Sequence, residues 1–179
     1  GLAGATLDWR ALLALALFAL LCLAPGIYSL PPTDRDESRY AVASTQMLQS
    51  GDFIDIRYLD QPRYLQPAGV YWLQSAAVAA TTGPEARAIG SYRIPSVLAA
   101  VLAVVMTAAL AAQLFGRNAG IAAGVLLAAS FAVNFEARIA KTDAALLAAI
   151  VLAQWGLLRV YLEDSPHWRW PLMFWGGLG

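Results

Sequence analysis

Apolar residues in this chain gather into runs of membrane-spanning length, separated by one long polar stretch and several short ones. A hydrocarbon core of about 30 Å takes about 20 largely apolar residues to cross as a helix. The first such run is 9–30, uncharged from Ala11 to Ala24, with Trp9, Arg10 and Tyr28 as interface residues. Its other reading, a cleaved leader, lacks a small-residue cleavage site before Pro31. The second run, 94–115, is nearly pure Ala, Val and Leu, with Pro95 near its start, where proline is tolerated. Gly116-Arg117-Asn118 predicts a tight turn. A third run follows at 119–135, and a fourth at 143–161 after a polar turn at 136–142. Apolar residues resume at Pro171 as the start of a fifth run, so 1–179 reads as the N-terminal part of one longer transmembrane domain. Gly120-x-x-x-Gly124 offers a close helix approach.

The polar stretch, 31–93, has its own periodicity. From Asp36 to Ser50, residues Tyr40, Ala43, Met47 and Leu48 share one helical face, and Gly51 is a stop signal. Residues 52–64 alternate Phe53, Ile54, Ile56 and Tyr58 with polar positions and predict an extended or irregular segment. Gln66 to Ala80 returns to helix, with Tyr71 and Trp72 as interface-type aromatics, and Thr81-Thr82-Gly83-Pro84 breaks it. Both short helices suit a membrane surface rather than a crossing. The expected fold class is therefore all-α: a polytopic bundle with juxtamembrane helices in its first loop.

Composition sharpens this picture. Hydrophobic residues make up 59% of the 179 residues and charged residues 13%, well below the share of about 25% charged in soluble domains. That excludes intrinsic disorder and argues against an ordinary soluble globule. Twelve basic residues balance twelve acidic ones, which gives no support to a nucleic-acid partner. One cysteine, Cys22, and one histidine, His167, leave no Cys-based zinc site and no multi-histidine cluster.

Topological parity narrows the chemistry. Segments 31–93 and 136–142 each follow an odd-numbered span and so share one side of the membrane. Asp34, Asp36 and Glu37 can therefore meet Glu136, Arg138, Lys141 and Asp143. Each has a structural reading. Asp34 with Glu37 three residues on makes a capping box, Asp143 stands where a helix cap is expected, and Arg138 and Lys141 suit headgroup anchoring. Each also has a chemical one, as carboxylates and cations at an interface where a phosphate-bearing lipid headgroup sits. Asp36, Glu37 and Asp143 also offer oxygens to a divalent cation. The basic residues taken alone lean weakly toward a cytoplasmic loop but leave the side itself open, because six of the twelve lie in a loop too long for the positive-inside rule.

The run Asp36-Glu37-Ser38-Arg39-Tyr40-Ala41, then Met47-Leu48-Gln49-Ser50-Gly51-Asp52, then Gln66-Pro67 and Tyr71-Trp72-Leu73-Gln74, resembles the first external loop of GT-C fold glycosyltransferases. The resemblance is to the bacterial branch that holds the aminoarabinose transferases acting on lipid A and the related protein O-mannosyltransferases. That loop reads D-E-x-R-Y-A, M-L-x-S-G-D, then K-P-P-L-x-Y-W. Arg138-Ile139-Ala140-Lys141-Thr142-Asp143-Ala144-Ala145-Leu146 looks like the family's short second external loop. The motifs fall in order across about 9–175.

The resemblance implies a sugar donor on a polyprenyl-phosphate carrier. It implies a lipid, protein or glycan acceptor at the outer face of the bacterial inner membrane, with loop 31–93 periplasmic. Asp36 matches the catalytic carboxylate and Asp143 a second acidic site residue. Glu37, Arg39 and Tyr40 flank Asp36 in the motif and are expected at the substrate, with Arg138 and Lys141 from the second loop. Gln66 stands where the family carries a lysine associated with the carrier phosphate. Arg63, Lys141 or a cation beyond residue 179 is expected to replace that charge; the alternative is a member with altered specificity or lost activity. The other reading is a non-catalytic, degenerate or truncated subunit packed against a larger membrane complex.

Overall fold

The computed structural model describes residues 6–163 and 167–178. Eight α-helices follow in order: α1 (Trp9–Leu23), α2 (Arg35–Ser50), α3 (Gly69–Thr81), α4 (Ile89–Phe115), α5 (Arg117–Ala129), α6 (Phe131–Ala137), α7 (Asp143–Leu162) and α8 (Arg169–Leu178). Two two-residue strands, β1 (Arg57–Tyr58) and β2 (Gln61–Pro62), pair antiparallel in the first loop. They are the only strands among the described residues, so the fold is the expected all-α membrane bundle. Helices α4 and α7 are each long and apolar enough to cross a bilayer.

The core explains the bundle. Ala19 and Leu23 of α1, Val97, Ala100 and Val104 of α4, Ala128 of α5, Val133 and Ala137 of α6 and Ala144 of α7 form one buried cluster. Small residues dominate it because helices in lipid gain from close packing rather than from escaping water. Gly120 and Gly124 serve that purpose. A Cβ on Gly120 would lie 2.6 Å from the Ala108 carbonyl oxygen, and one on Gly124 3.0 Å from the Ala108 Cβ. The α4–α5 hairpin closes on those two glycines.

Helix α3 begins at Gly69 rather than Gln66, α5 at Arg117 directly after Gly116, and α8 at Arg169 rather than 171, and three of the expected spans differ further. The first run expected at 9–30 is helical only to Leu23, because Pro25 and Gly26, the latter at φ +92°, turn the chain. The second starts at Ile89 rather than 94, which carries Arg93 inside the helix and leaves Pro95 in its second turn. The third, expected unbroken at 119–135, bends by 58° between α5 and α6. Ser130 adopts an extended conformation there, and its hydroxyl accepts from the Val133 N–H, capping the new helix. The Asn134 side-chain amide donates to the Ala128 carbonyl that the break frees, and also to the Ser130 carbonyl, which already accepts the Asn134 backbone N–H. A chain bend inside a membrane persists only where such groups are satisfied again.

The first loop is docked, not detached. Helices α2 and α3 close on Tyr40, Ala43, Met47, Ile56, Val70 and Tyr71. Val78 of α3, Tyr92 of α4 and Ala140 form a second cluster that joins this layer to the bundle. Polar stitches reinforce it: Ser44 Oγ donates to Gln74 Oε1 at 2.8 Å, and the Thr45 and Tyr92 hydroxyls lie 2.7 Å apart. Leu59, at φ +56° in the tip between the strands, is held by Gln46, which accepts its N–H and donates to its carbonyl. The layer sits at the end of the bundle where α1 and α6 stop and α4 and α7 start.

Candidate active site

The first turn of α2 presents the acids. Asp34 is its N-cap, in extended conformation, and its carboxylate accepts the Asp36 N–H at 2.8 Å. Asp36, one helical position in, is half-exposed and paired with Arg39 at 3.0 Å. Glu37 departs from the expected capping box. Its Oε2 accepts from Thr33 N–H at 3.3 Å rather than from the N-cap N–H, and its Oε1 turns inward. The carboxylate is fully buried, with Arg93 at 2.6 Å and 3.0 Å and the Ala140 N–H at 3.0 Å.

The second loop meets these acids through Lys141. Its ammonium donates to Asp34 at 2.9 Å and lies 3.6 Å from Asp143. Asp143 opens α7, and Glu136 stands at the end of α6 with its Oε2 buried and without a hydrogen-bond partner. Both line an apolar hollow of about 340 Å³ with Ser130, Val133, Ala144 and Leu147. The juxtaposition inferred from parity is thus present: Asp34, Lys141 and Asp143 are joined in sequence, Glu136 lines the same hollow as Asp143, and Asp36 and Arg39 stand on the first turn of α2.

The other expected residues lie elsewhere. Arg63 is buried in the loop layer, its Nε donating to the Tyr71 hydroxyl at 2.9 Å and its guanidinium 5.3 Å over the Tyr40 ring. Tyr40 is itself buried and stacked on Tyr71 at 5.3 Å. Gln66 is exposed on the lip of a separate apolar hollow of about 470 Å³, with Pro67, Val70, Thr142, Leu146 and Gly177. Arg138 faces the end of α1, donating to the carbonyls of Cys22 (2.6 Å) and Pro25 (2.8 Å) as well as to Asn134.

One residue central to this arrangement falls outside the candidates legible in the sequence: Arg93, nearly fully buried in α4. A signal existed. A lone charge at the edge of a long apolar run must find a partner. Its position two residues before Pro95 makes it look like the last residue of the loop.

A divalent cation does not fit these residues. The oxygens of Glu37 are already taken, and the Lys141 ammonium holds the position between Asp34 and Asp143 that a cation would occupy. Among the described residues no three His, Cys, Asp or Glu side chains are grouped to hold a metal ion.

The Asp34–Lys141 pair gives a pH prediction. The Asp36 N–H first, and the Lys141 ammonium second, hold the Asp34 carboxyl below the usual carboxylate range. The Asp34 carboxylate in turn raises Lys141 above an ordinary lysine. A depressed acid contributes stability above its unfolded value and loses it as pH falls through the folded one. The raised lysine contributes below its unfolded value and loses it as pH rises through the folded one. The ion pair is therefore complete from about pH 4 to pH 10. The thermal midpoint of the full-length protein should fall on acidification below about pH 4, and Asp34→Asn should flatten part of that fall. An unchanged acid limb in Asp34→Asn would contradict this.

An all-α membrane bundle with paired acids and cations gathered at one end agrees with the GT-C-like glycosyltransferase class that the loop motifs resemble. The chain belongs to the dolichyl-phosphate-mannose-protein mannosyltransferase family, whose profile matches residues 66–179. It is also similar to the undecaprenyl phosphate-alpha-4-amino-4-deoxy-L-arabinose arabinosyl transferase of Pectobacterium carotovorum subsp. carotovorum (strain PC1), with 44% identity over 63 residues. That stretch covers 34% of this chain and 11% of that protein. No solved structure matches the chain significantly.

Proposed function

We propose that this chain carries part of the active site of an integral-membrane transferase that moves a sugar from a polyprenyl-phosphate carrier to a lipid, protein or glycan acceptor. The family supports the reaction class. The observation that carries the reading is the Lys141 ammonium held between Asp34 of the first loop and Asp143 of the second. It gathers a cation and carboxylates at one bundle end, where a lipid carrier's phosphate meets the interface. The protein lies in the bacterial inner membrane with loop 31–93 in the periplasm.

In the reaction the acceptor oxygen attacks the anomeric carbon, and the bond from that carbon to the carrier phosphate breaks. The phosphate leaves with the electron pair. Asp36, half-exposed and oriented by Arg39, takes the proton of an acceptor hydroxyl as general base. Asp143 orients Lys141, and Lys141 and Arg39 take up the charge on the departing phosphate. Lys141 thereby supplies the charge that Gln66 lacks, and Gln66 offers a neutral hydrogen bond to the donor. Tyr40, Arg63 and Arg138 support the site through the loop layer and the end of α1.

The test is an assay of the full-length protein in membranes with radiolabelled polyprenyl-phosphate sugars. Label should pass to a membrane acceptor and carrier phosphate should be released. Absence of transfer across a panel of such donors would favour the non-catalytic subunit.

A further inference from the structure

We propose that Arg93 is a positioning residue for the transfer reaction. By clamping Glu37 it sets the Asp36 carboxylate and the Lys141 ammonium, which lie on different loops, in register with each other. The inference rests on the transferase reading for its consequence in catalysis, but its structural part stands alone.

A guanidinium has five N–H donors, and Arg93 uses all five. Nε donates to Glu37 Oε1 at 2.6 Å. Nη1 donates to the carbonyls of Ile27 and Leu30, both at 2.8 Å. Nη2 donates to the Pro31 carbonyl at 3.1 Å and to Glu37 Oε2 at 3.0 Å. An ionised carboxylate has about four acceptor sites, and Glu37 fills four: two from Arg93, one from Thr33 N–H and one from Ala140 N–H. Both groups are saturated and buried, so neither has a donor or acceptor left for a substrate. Their partners are what matter. Ile27, Leu30 and Pro31 belong to the exit from α1, Thr33 to the approach to α2, and Ala140 to the loop before α7. Asp36 directly precedes Glu37, and Lys141 directly follows Ala140. Glu37 therefore links the proposed base to the proposed phosphate cation through its hydrogen bond with the Ala140 N–H, beside the exposed link through Asp34, and Arg93 fixes the buried carboxylate that makes it.

Lysine at 93 would keep the charge but has three donors on one nitrogen. It can reach Glu37 or the carbonyls of the α1 exit, but it lacks the fork that holds both.

The experiment uses the full-length protein, cysteine-free apart from Asp34→Cys and Lys141→Cys, with a short bismaleimide as the proximity probe. Turnover is measured separately, in protein retaining Asp34 and Lys141, with a radiolabelled undecaprenyl-phosphate sugar as donor. Only monodisperse, membrane-extracted protein is counted in either arm. Arg93→Lys should cut the cross-linking rate at least about fivefold. It should lower kcat about tenfold or more with donor KM within about threefold, as expected when reacting groups are misplaced but the donor still binds. Glu37→Gln, which opens one arm of the fork, should shift both readouts in the same direction by less, and it decides the question if Arg93→Lys yields no folded protein. Unchanged cross-linking with a collapsed kcat would overturn the proposal, because Arg93 would then act on the substrate directly. Unchanged cross-linking and unchanged kcat would also overturn it. Cross-linking that depends on Arg93 in a protein whose parent transfers no sugar would support the clamp and refute the transferase reading.

Discussion

Asp36→Asn is expected to abolish sugar transfer in the full-length protein while leaving it folded and inserted. The substitution keeps size and shape and removes the charge. Asp36 is not the N-cap of α2; Asp34 is, and it takes the Asp36 N–H through its own side chain, a bond that Asn at 36 keeps. The ion pair that Asn would weaken is the i,i+3 pair with Arg39, worth about 0.5 kcal/mol or less on an exposed helix. A structural role would thus leave turnover near normal. Loss of a positioned general base should cost at least about a hundredfold in rate. Asp34→Asn is the internal control, since Asn caps as well as Asp and Asp34 lies outside the D-E-x-R motif. It gives up the ion pair with Lys141, so a modest loss is expected, well short of that for Asp36. Equal effects from the two substitutions, or none from either, would favour the non-catalytic subunit.

Glu37→Leu is expected to be among the most destabilising single changes available in the described residues. Removing one partner of a buried ion pair strands the other, at a cost of about 3–5 kcal/mol. Here the stranded group is a guanidinium with 1% exposure, and Thr33 and Ala140 are left without an acceptor as well. Detergent-extracted full-length protein should show a thermal midpoint lowered by several degrees, or should be missing from the membrane fraction altogether. Glu85→Leu, on an exposed 3₁₀ turn at Pro84–Ala86, is the control and should change the midpoint little. Near-equal midpoints for the two variants would mean that the buried pair contributes no net stability.

Much of this fold is legible in the sequence because lipid imposes a simple rule on long apolar runs. Helices α4 and α7 follow from run length alone, and α2 follows from the spacing of Tyr40, Ala43 and Met47, all three of which are buried. The meeting of the first and second loops follows from parity. What stays hidden is side-chain choice among equivalent charges. Nothing in D-E-S-R announces that Glu37 turns inward while Asp36 stays half-exposed; an arginine fifty-six residues further along decides it. Arg138 and Lys141 look alike in sequence, yet one braces the carbonyls of α1 and the other bridges two acids. The break at Ser130 is silent for a related reason, since serine and alanine fit an apolar run equally well and only the Asn134 amide shows that a bend is being satisfied.

Helix α1 is short for its neighbourhood. Fifteen residues rise about 22 Å, against a hydrocarbon thickness of about 30 Å, while the 27 residues of α4 rise about 40 Å. The two helices pack side by side, but the apolar part of α4, 94–115, matches the hydrocarbon thickness while α1 does not. The shorter one falls below the length of a full crossing, and a bilayer against its flank thins to meet it. The carbonyls just beyond α1 tolerate the depth this imposes, because Arg138 and Arg93 occupy them rather than water. Hydrophobic mismatch is thereby concentrated on the flank beside the acids, which makes membrane thickness a physical variable of their surroundings. Bilayers of shorter acyl chains should be the better solvent for this protein.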